Sequence, residues 1–251
     1  RWVLQGEGVY TTVEGDKCYM ERGDLVLTPS WTWHDHNSEG DAPMIWLDGL
    51  DTPLVHNLHA TFFENYPEDT HPVSGTGESV QKYASGALRP AWEDTKKPYS
   101  QLWHYKWDRT YDALYNLAQV DSSPFDDVAM EYSDPTTGGP VLATMACWIQ
   151  LIRPGIHTRA HRHTTSAVYH VFEGEGYSII DGKRFDWSRG DLFVVPSWAW
   201  HEFGNDTNQE AILFSIQDNP VIKSLALFRE EAYEENAGHQ PVTGKFTGLE
   251  R

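Results

Sequence analysis

Pro29-Ser30-Trp31-Thr32-Trp33-His34 returns later in the chain as Pro196-Ser197-Trp198-Ala199-Trp200-His201. The blocks around it return in the same order. Gly6-Glu7-Gly8 is matched by Gly174-Glu175-Gly176, Arg22-Gly23-Asp24-Leu25 by Arg189-Gly190-Asp191-Leu192, and Asp51-Thr52-Pro53 by Asp218-Asn219-Pro220. From His34 to His201 is a step of 167 residues, and from Gly6 to Gly174 a step of 168. One extra residue in the Gly8–Gly15 hairpin of the first copy is expected to account for the difference. Solenoid repeats run to about 20–50 residues, so this period describes a duplicated domain.

Within each copy the segments are short and β-rich. Val168–Phe172 reads as a strand, and Tyr177–Ile180 leads into Asp181-Gly182, a strong hairpin signal. Leu192–Val195 is apolar and stops at Pro196, and Ala211–Ile216 reads as a further strand. A helix closes each copy. Thr52 and Asn219 are its expected caps, Pro53 and Pro220 its first helical residues, and Leu58 and Leu225 lie on its expected buried face. Between the copies one amphipathic helix is expected over Arg109–Gln119, with Tyr111, Leu114, Tyr115 and Ala118 on one side. Asp134–Gly139 is turn chemistry and marks entry to the second copy. The expected organisation is a first barrel over 1–67, an inter-barrel segment over 68–139 and a second barrel with its C-terminal helix over 140–251.

Composition narrows the function. A formal net charge of −18 over 251 residues argues against nucleic acid and anionic membranes as partners. No apolar run approaches the roughly 18 residues that a spanning helix needs. The two cysteines, Cys18 and Cys147, both fall in strand-like runs. They fit buried thiols in a reducing compartment, so a cytoplasmic location is expected.

The chemistry sits in the histidines. The second copy carries His161-Arg162-His163, then Pro196, four residues, His201 and Asn205. Alternate residues of a strand share a face, so His161 and His163 project together, and His201 follows on a later strand. Three imidazoles on an octahedral divalent ion leave about three positions open, as in iron sites that bind a substrate together with dioxygen. Other histidines carry less. His170 reads as packing, His157 as a loop residue with a supporting role or none, and His56, His59, His71, His104 and His239 show no partner pattern.

These residues resemble the cupin superfamily: an all-β, tandem double-stranded β-helix (bicupin) with a few short helices. Many cupins carry a Glu five residues after the second His of the pair. Val168 stands there, which resembles the three-His iron cupins. More specifically, the chain resembles the gentisate 1,2-dioxygenase family, with its salicylate and 1-hydroxy-2-naphthoate relatives. The residues that carry this are Gly6–Thr11, Gly23–Pro29, Trp33-His34-Asp35-His36, Trp46–Asp51, Leu88-Arg89-Pro90, Asp134–Gly139 and Met145–Trp148.

The resemblance implies an extradiol-type ring-cleaving dioxygenase of aromatic catabolism. Its substrate would be gentisate or a related ortho-hydroxy aromatic carboxylate, reacting with O2 at non-haem Fe(II) without an organic cofactor. It also implies a homo-oligomer, a dimer or tetramer. In that family the catalytic iron lies in the first cupin. His34 matches its third ligand, His36 a group beside the reacting oxygens, Asp48 an active-site carboxylate and Arg1 a substrate-contacting arginine. The first copy departs from the pattern, because no His-X-His pair precedes His34 here. The pair should lie eight and six residues before Arg1, so the chain is expected to be a fragment that is itself inactive as a gentisate dioxygenase. The second copy holds its ligands His161, His163 and His201 but has Tyr169, Phe203 and Ser215 where the first has Arg1, His36 and Asp48. A bicupin that binds metal or a small acid without turnover, and a different three-His cupin enzyme, stay open as readings.

Overall fold

The computed structural model describes residues 1–86, 88–93 and 97–246. It divides into two compact units: Arg1–Tyr111 with Ser133–Leu142, and Asp112–Tyr132 with Ala143–Arg251. Residues 87, 94–96 and 247–251 of the three expected segments lie outside the described residues. The expected inter-barrel segment 68–139 is shared between the units, because short strands inside it add to the sheets of each.

In the first unit the elements run β1 (Trp2–Gln5), β2 (Val9–Val13), β3 (Asp16–Met20), β4 (Leu25–Val26), β5 (His34–Ser38), β6 (Ile45–Leu47), α1 (Thr52–Asn57), β7 (Gly75–Thr76), α2 (Glu78–Tyr83) and β8 (His104–Tyr105). They form two sheets, ordered β6-β1-β4-β8 and β5-β2-β3-β7. Val3, Val9, Val13, Cys18, Met20 and Val26 come from both sheets and meet in one buried cluster. Helix α3 (Trp107–Ala118) follows; it starts two residues before the expected Arg109 and ends one before Gln119. Leu114 is its buried residue, while Tyr115 is 44% exposed rather than part of a covered face.

The second unit holds β9 (Val128–Glu131), β10 (Ala146–Ile152), β11 (His161–His163), β12 (Ala167–Glu173), β13 (Glu175–Ile180), β14 (Lys183–Ser188), β15 (Leu192–Val195), β16 (His201–Gly204), β17 (Ala211–Gln217), α4 (Asn219–Ser224), β18 (Glu230–Ala232) and β19 (Gly244–Lys245). Its sheets are ordered β15-β12-β17-β10-β9 and β18-β11-β16-β13-β14-β19. Tyr169, Val171, Ile180, Trp187, Phe203 and Leu213 fill the space between them. Both units are the all-β barrel expected of the sequence.

The repeat extends to the hydrogen-bond register. Trp2 pairs with Leu25 and Leu47, as His170 pairs with Leu192 and Phe214. Both copies then shift register at the same place, between Val3 and Gln5 and between Val171 and Glu173. Val13 pairs with Asp16 and His34, as Ile180 pairs with Lys183 and His201. Even the left-handed tryptophans correspond: Trp31 and Trp198 both have φ 65°.

This register corrects two expectations. Val9 stands opposite Met20 and Gly176 opposite Trp187, so the extra residue of the first copy lies before Val9, in the Gly6–Gly8 turn. The Gly8–Gly15 hairpin has the same length as its counterpart. The turn needs two left-handed glycines, Gly6 (φ 104°) and Gly8 (φ 79°), where the second copy turns on Gly174 alone (φ 80°). The closing helices are capped one residue earlier than expected, by Asp51 and Asp218, and neither makes a side-chain cap hydrogen bond. With only six residues each, these helices end before Leu58 and Leu225, which are 67% and 61% exposed as C-caps rather than buried.

Candidate metal centre and active site

In the second unit His161 on β11 pairs directly with His201 on β16, and His163 lies two residues along β11 on the same face. The three rings converge, with centroids 4.3 Å (His161–His201), 4.9 Å (His163–His201) and 5.5 Å (His161–His163) apart. One ligand nitrogen of each lies within 4.8 Å of the others. His201 and His161 are almost fully buried.

The donor set fits a divalent cation. His201 Nδ1 lies 3.0 Å from the Ala199 carbonyl oxygen, and His163 Nδ1 meets both the carbonyl oxygen (3.0 Å) and the hydroxyl (2.6 Å) of Thr165. A ring that donates Nδ1–H to a carbonyl presents Nε2 as a lone pair, which is how proteins orient metal-binding imidazoles. His161 Nδ1 is buried without a hydrogen-bond partner, a desolvation cost that coordination of the ring would offset. Burial, then the neighbouring His201 and His163, pull the His161 pKa down to about 2. Burial and His163 take that of His201 to about 3. All three rings are therefore neutral at pH 7 and need lose no proton to act as ligands.

The first unit brings together a different set. Its strand β5 carries His34 and His36, with ring centroids 5.9 Å apart. His34 occupies the ladder position of His201, opposite Val13 as His201 is opposite Ile180. His36 Nδ1 lies 2.9 Å from Thr11 Oγ1, and its ring packs 5.3 Å from that of Trp46. The Thr11 hydroxyl also lies 3.3 Å from Met20 Sδ, and its contact with Nδ1 fixes the His36 ring in place. Arg1 Nε lies 3.2 Å from Asp48 Oδ1, and the Arg1 guanidinium also donates to Thr28 Oγ1. Burial lowers the Arg1 pKa, and Asp48 opposes that shift. Burial, then Arg1 and His34, push His36 down to about 4.

The matching positions of the second unit are uncharged. Tyr169 stacks on Phe193 at 5.0 Å, meets Phe203 at 5.3 Å and pairs with Ser215 across the ladder. One copy thus assembles three imidazoles, with uncharged residues at the positions of Arg1, His36 and Asp48. The other assembles Arg1, His36 and Asp48 around His34.

The cupin family profile, described as "Cupin domain", matches residues 1–50 and 148–217. A gentisate 1,2-dioxygenase from Haloferax sp. is 34% identical over 92% of this chain and 67% of its own length. The chain belongs to the gentisate 1,2-dioxygenase family of cupin proteins. Another relative in this family, a 5-aminosalicylate 1,2-dioxygenase from Comamonas sp., is 41% identical over 98% of this chain and 66% of its own. The crystal structure of the salicylate 1,2-dioxygenase of Pseudoaminobacter salicylatoxidans with gentisate is 32% identical. It superposes with a TM-score of 0.85 over 92% of this chain and 64% of that one. The chain spans about two thirds of the length of the curated relatives it matches.

A further group of side chains in the second unit, His157, Glu202 and His239, escaped the sequence reading. Its one legible signal was Glu202. That residue alternates with His201 on β16, and Asp35 alternates with His34 at the same place in the first copy.

Proposed function

We propose that the natural protein opens the ring of gentisate, or a related ortho-hydroxy aromatic carboxylate, with O2 at non-haem Fe(II). The observation that carries this reading is the ion pair of Arg1 with Asp48 and the neutral His36 around His34, in a family whose relatives are named for this chemistry. His34 is the proposed ligand of the first cupin. His161, His163 and His201 are the proposed ligands of a second ion in the other barrel. Bound ferrous iron would supply the one-electron chemistry that lets dioxygen react with an aromatic ring.

The remaining work falls to side chains of the first unit. The guanidinium of Arg1 offers a charge-assisted hydrogen-bond fork to a substrate carboxylate. Asp48 holds that fork in one orientation, which reduces the entropy lost on binding. His36, kept neutral by burial and anchored at Nδ1 by Thr11, would hydrogen-bond a substrate hydroxyl and orient it. Tyr169, Phe203 and Ser215 can do none of this, so the second barrel is read as a metal site without the acid–base groups.

Location and assembly complete the reading. A cytoplasmic location is supported by Cys18 and Cys147, both buried free thiols. Among the described residues no helix is long and apolar enough to cross a membrane. A homo-oligomer of two or four subunits is supported by exposed aromatic side chains such as Trp31 (80%), Phe63 (83%) and Trp92 (86%).

The test is oxygen uptake together with the absorbance of a ring-opened dienoate, after the natural protein is loaded with ferrous iron and given gentisate under air. Iron-loaded protein that leaves gentisate, salicylate and hydroxynaphthoate unchanged ends the proposal.

A further inference from the structure

We infer that His157, Glu202 and His239 form a second divalent-cation site in the second unit, of the zinc class and separate from the triad of His161, His163 and His201. His201 and Glu202 are consecutive on β16, so their side chains leave opposite faces of the sheet. Glu202 is fully buried. Its Oε2 lies 2.9 Å from His239 Nδ1 and 3.3 Å from His157 Nε2, and the three donor atoms fall within 4.8 Å of one another. Metal–donor bonds of about 2.0–2.2 Å put neighbouring donors roughly 3.0–3.5 Å apart, the spacing Glu202 already keeps to both rings.

Each donor is held in place by backbone. Gln240 N–H donates to Glu202 Oε1 at 2.9 Å, which leaves Oε2 as the oxygen turned to the imidazoles. His157 is fixed beside β16 by its bridge to Gly204. His239 follows the 3-10 turn Asn236–Gly238, and Asn236 Nδ2 donates back to its carbonyl at 3.1 Å. The rings of His157 and His239 lie with centroids 4.2 Å apart at 33° to each other, and both present a nitrogen to the same oxygen. Two imidazoles and one carboxylate are a known zinc set that leaves a fourth position open. His157 is exposed, which gives an ion a route in from solvent.

The first unit shows what Glu202 would do without the cation. Asp35, at the same position of β5, accepts the backbone N–H of His71 at 2.8 Å, as Glu202 accepts that of Gln240. That contact alone ties a returning segment to the sheet. The longer Glu202 adds two imidazoles to it, and a bound ion would clamp the segment around His239 to β16.

The inference is independent of the proposed activity, and zinc alone tests it on the 251-residue chain. In wild-type protein, zinc should slow the reaction of His157 and His239 with diethyl pyrocarbonate by at least about tenfold, read residue by residue by mass spectrometry. In a His201→Ala chain, which disables the triad, a single zinc should remain bound at micromolar concentration. Adding His239→Ala should weaken it by about 100-fold or more. A His201→Ala chain that folds and holds no zinc overturns the assignment. So does a wild-type chain whose His157 reacts equally fast with and without saturating zinc, a readout that needs no variant to fold.

Discussion

Arg1 Nε stands 3.2 Å from Asp48 Oδ1 in the first unit, whereas Tyr169 and Ser215, their counterparts in the second, face each other across the ladder without a charge between them. The Asp48 side chain is 46% exposed, so the ion pair contributes at most about 1 kcal/mol to stability. Its larger effect is to aim Arg1. Asp48→Asn should leave the melting temperature nearly unchanged and lower the proposed turnover of gentisate by roughly 10–100-fold. Steady-state oxygen uptake beside a thermal melt separates the two. Equal losses in both would make Asp48 a structural residue.

The two proposed metal sites, one in each unit, respond differently to loss of a histidine. His163→Ala removes one of three converging imidazoles and should abolish binding of cobalt(II) at the triad, seen as loss of its visible absorption. His34→Ala should leave that signal intact, because His34 belongs to the other unit. A cobalt spectrum that changes with His34→Ala and not with His163→Ala contradicts the assignment of ligands.

Asp24 gives the first unit a pH dependence. Its carboxylate is fully buried and receives Glu21 N–H, Trp107 N–H, His104 Nε2 at 2.6 Å and Lys106 Nζ at 2.9 Å. Burial alone would raise its pKa, but the bonds from His104, Lys106 and Trp107 outweigh it, and the net shift is downward. A carboxyl whose folded pKa lies below its unfolded value of about 3.9 stabilises the fold above that value. The contribution disappears as pH falls through the folded pKa. Asp24→Asn should cost about 3–5 kcal/mol at pH 7, and this difference from wild type should shrink below about pH 4. Urea unfolding at a series of pH values measures it, and a difference that grows on acidification would reverse the sign.

Phe203→His tests how far the two copies are interchangeable. Ser178 faces Phe203 as Thr11 faces His36, and Ser178 Oγ accepts Trp187 Nε1–H at 3.0 Å. That acceptance leaves the serine proton free for an introduced imidazole. The substitution should cost about 1–3 kcal/mol from lost volume and added polarity, and the triad should keep its metal. Chemical denaturation and cobalt titration check the two parts, and a chain that no longer folds would mean Ser178 cannot satisfy the ring.

The sequence carried the barrel and its duplication because both depend on local text: repeated blocks, hairpin residues and a His-X-His pair whose period places two rings on one face. Where text and register differ, text misled. Gly6-Glu7-Gly8 and Gly174-Glu175-Gly176 read alike, yet Val9 rather than Gly8 stands at the position of Gly176. Leu58 and Leu225 looked like a buried face, because nothing local says that a six-residue helix stops just before them. Arg1, His36 and Asp48 reached attention only through family resemblance. Their meeting depends on three strands that no local pattern joins. The His157, Glu202 and His239 group was beyond reading for the same reason: its members lie in a loop, a strand and a turn that come together only once the second unit has folded.

The register shift shared by Val3/Gln5 and Val171/Glu173 has an evolutionary consequence. Deleting the surplus residue, Leu4 or Phe172, would restore a regular ladder and remove the local bend and added twist that the bulge gives the strand. Between the two copies, spacing is kept here while identity changes. Arg1 can drift to a tyrosine while the count of residues around it stays fixed. The two copies differ in length at the Gly6–Gly8 turn, where a change of count moves no side chain across a sheet. Insertions and deletions in relatives of this chain should fall in such turns and spare the strands, whatever substrate each has come to accept.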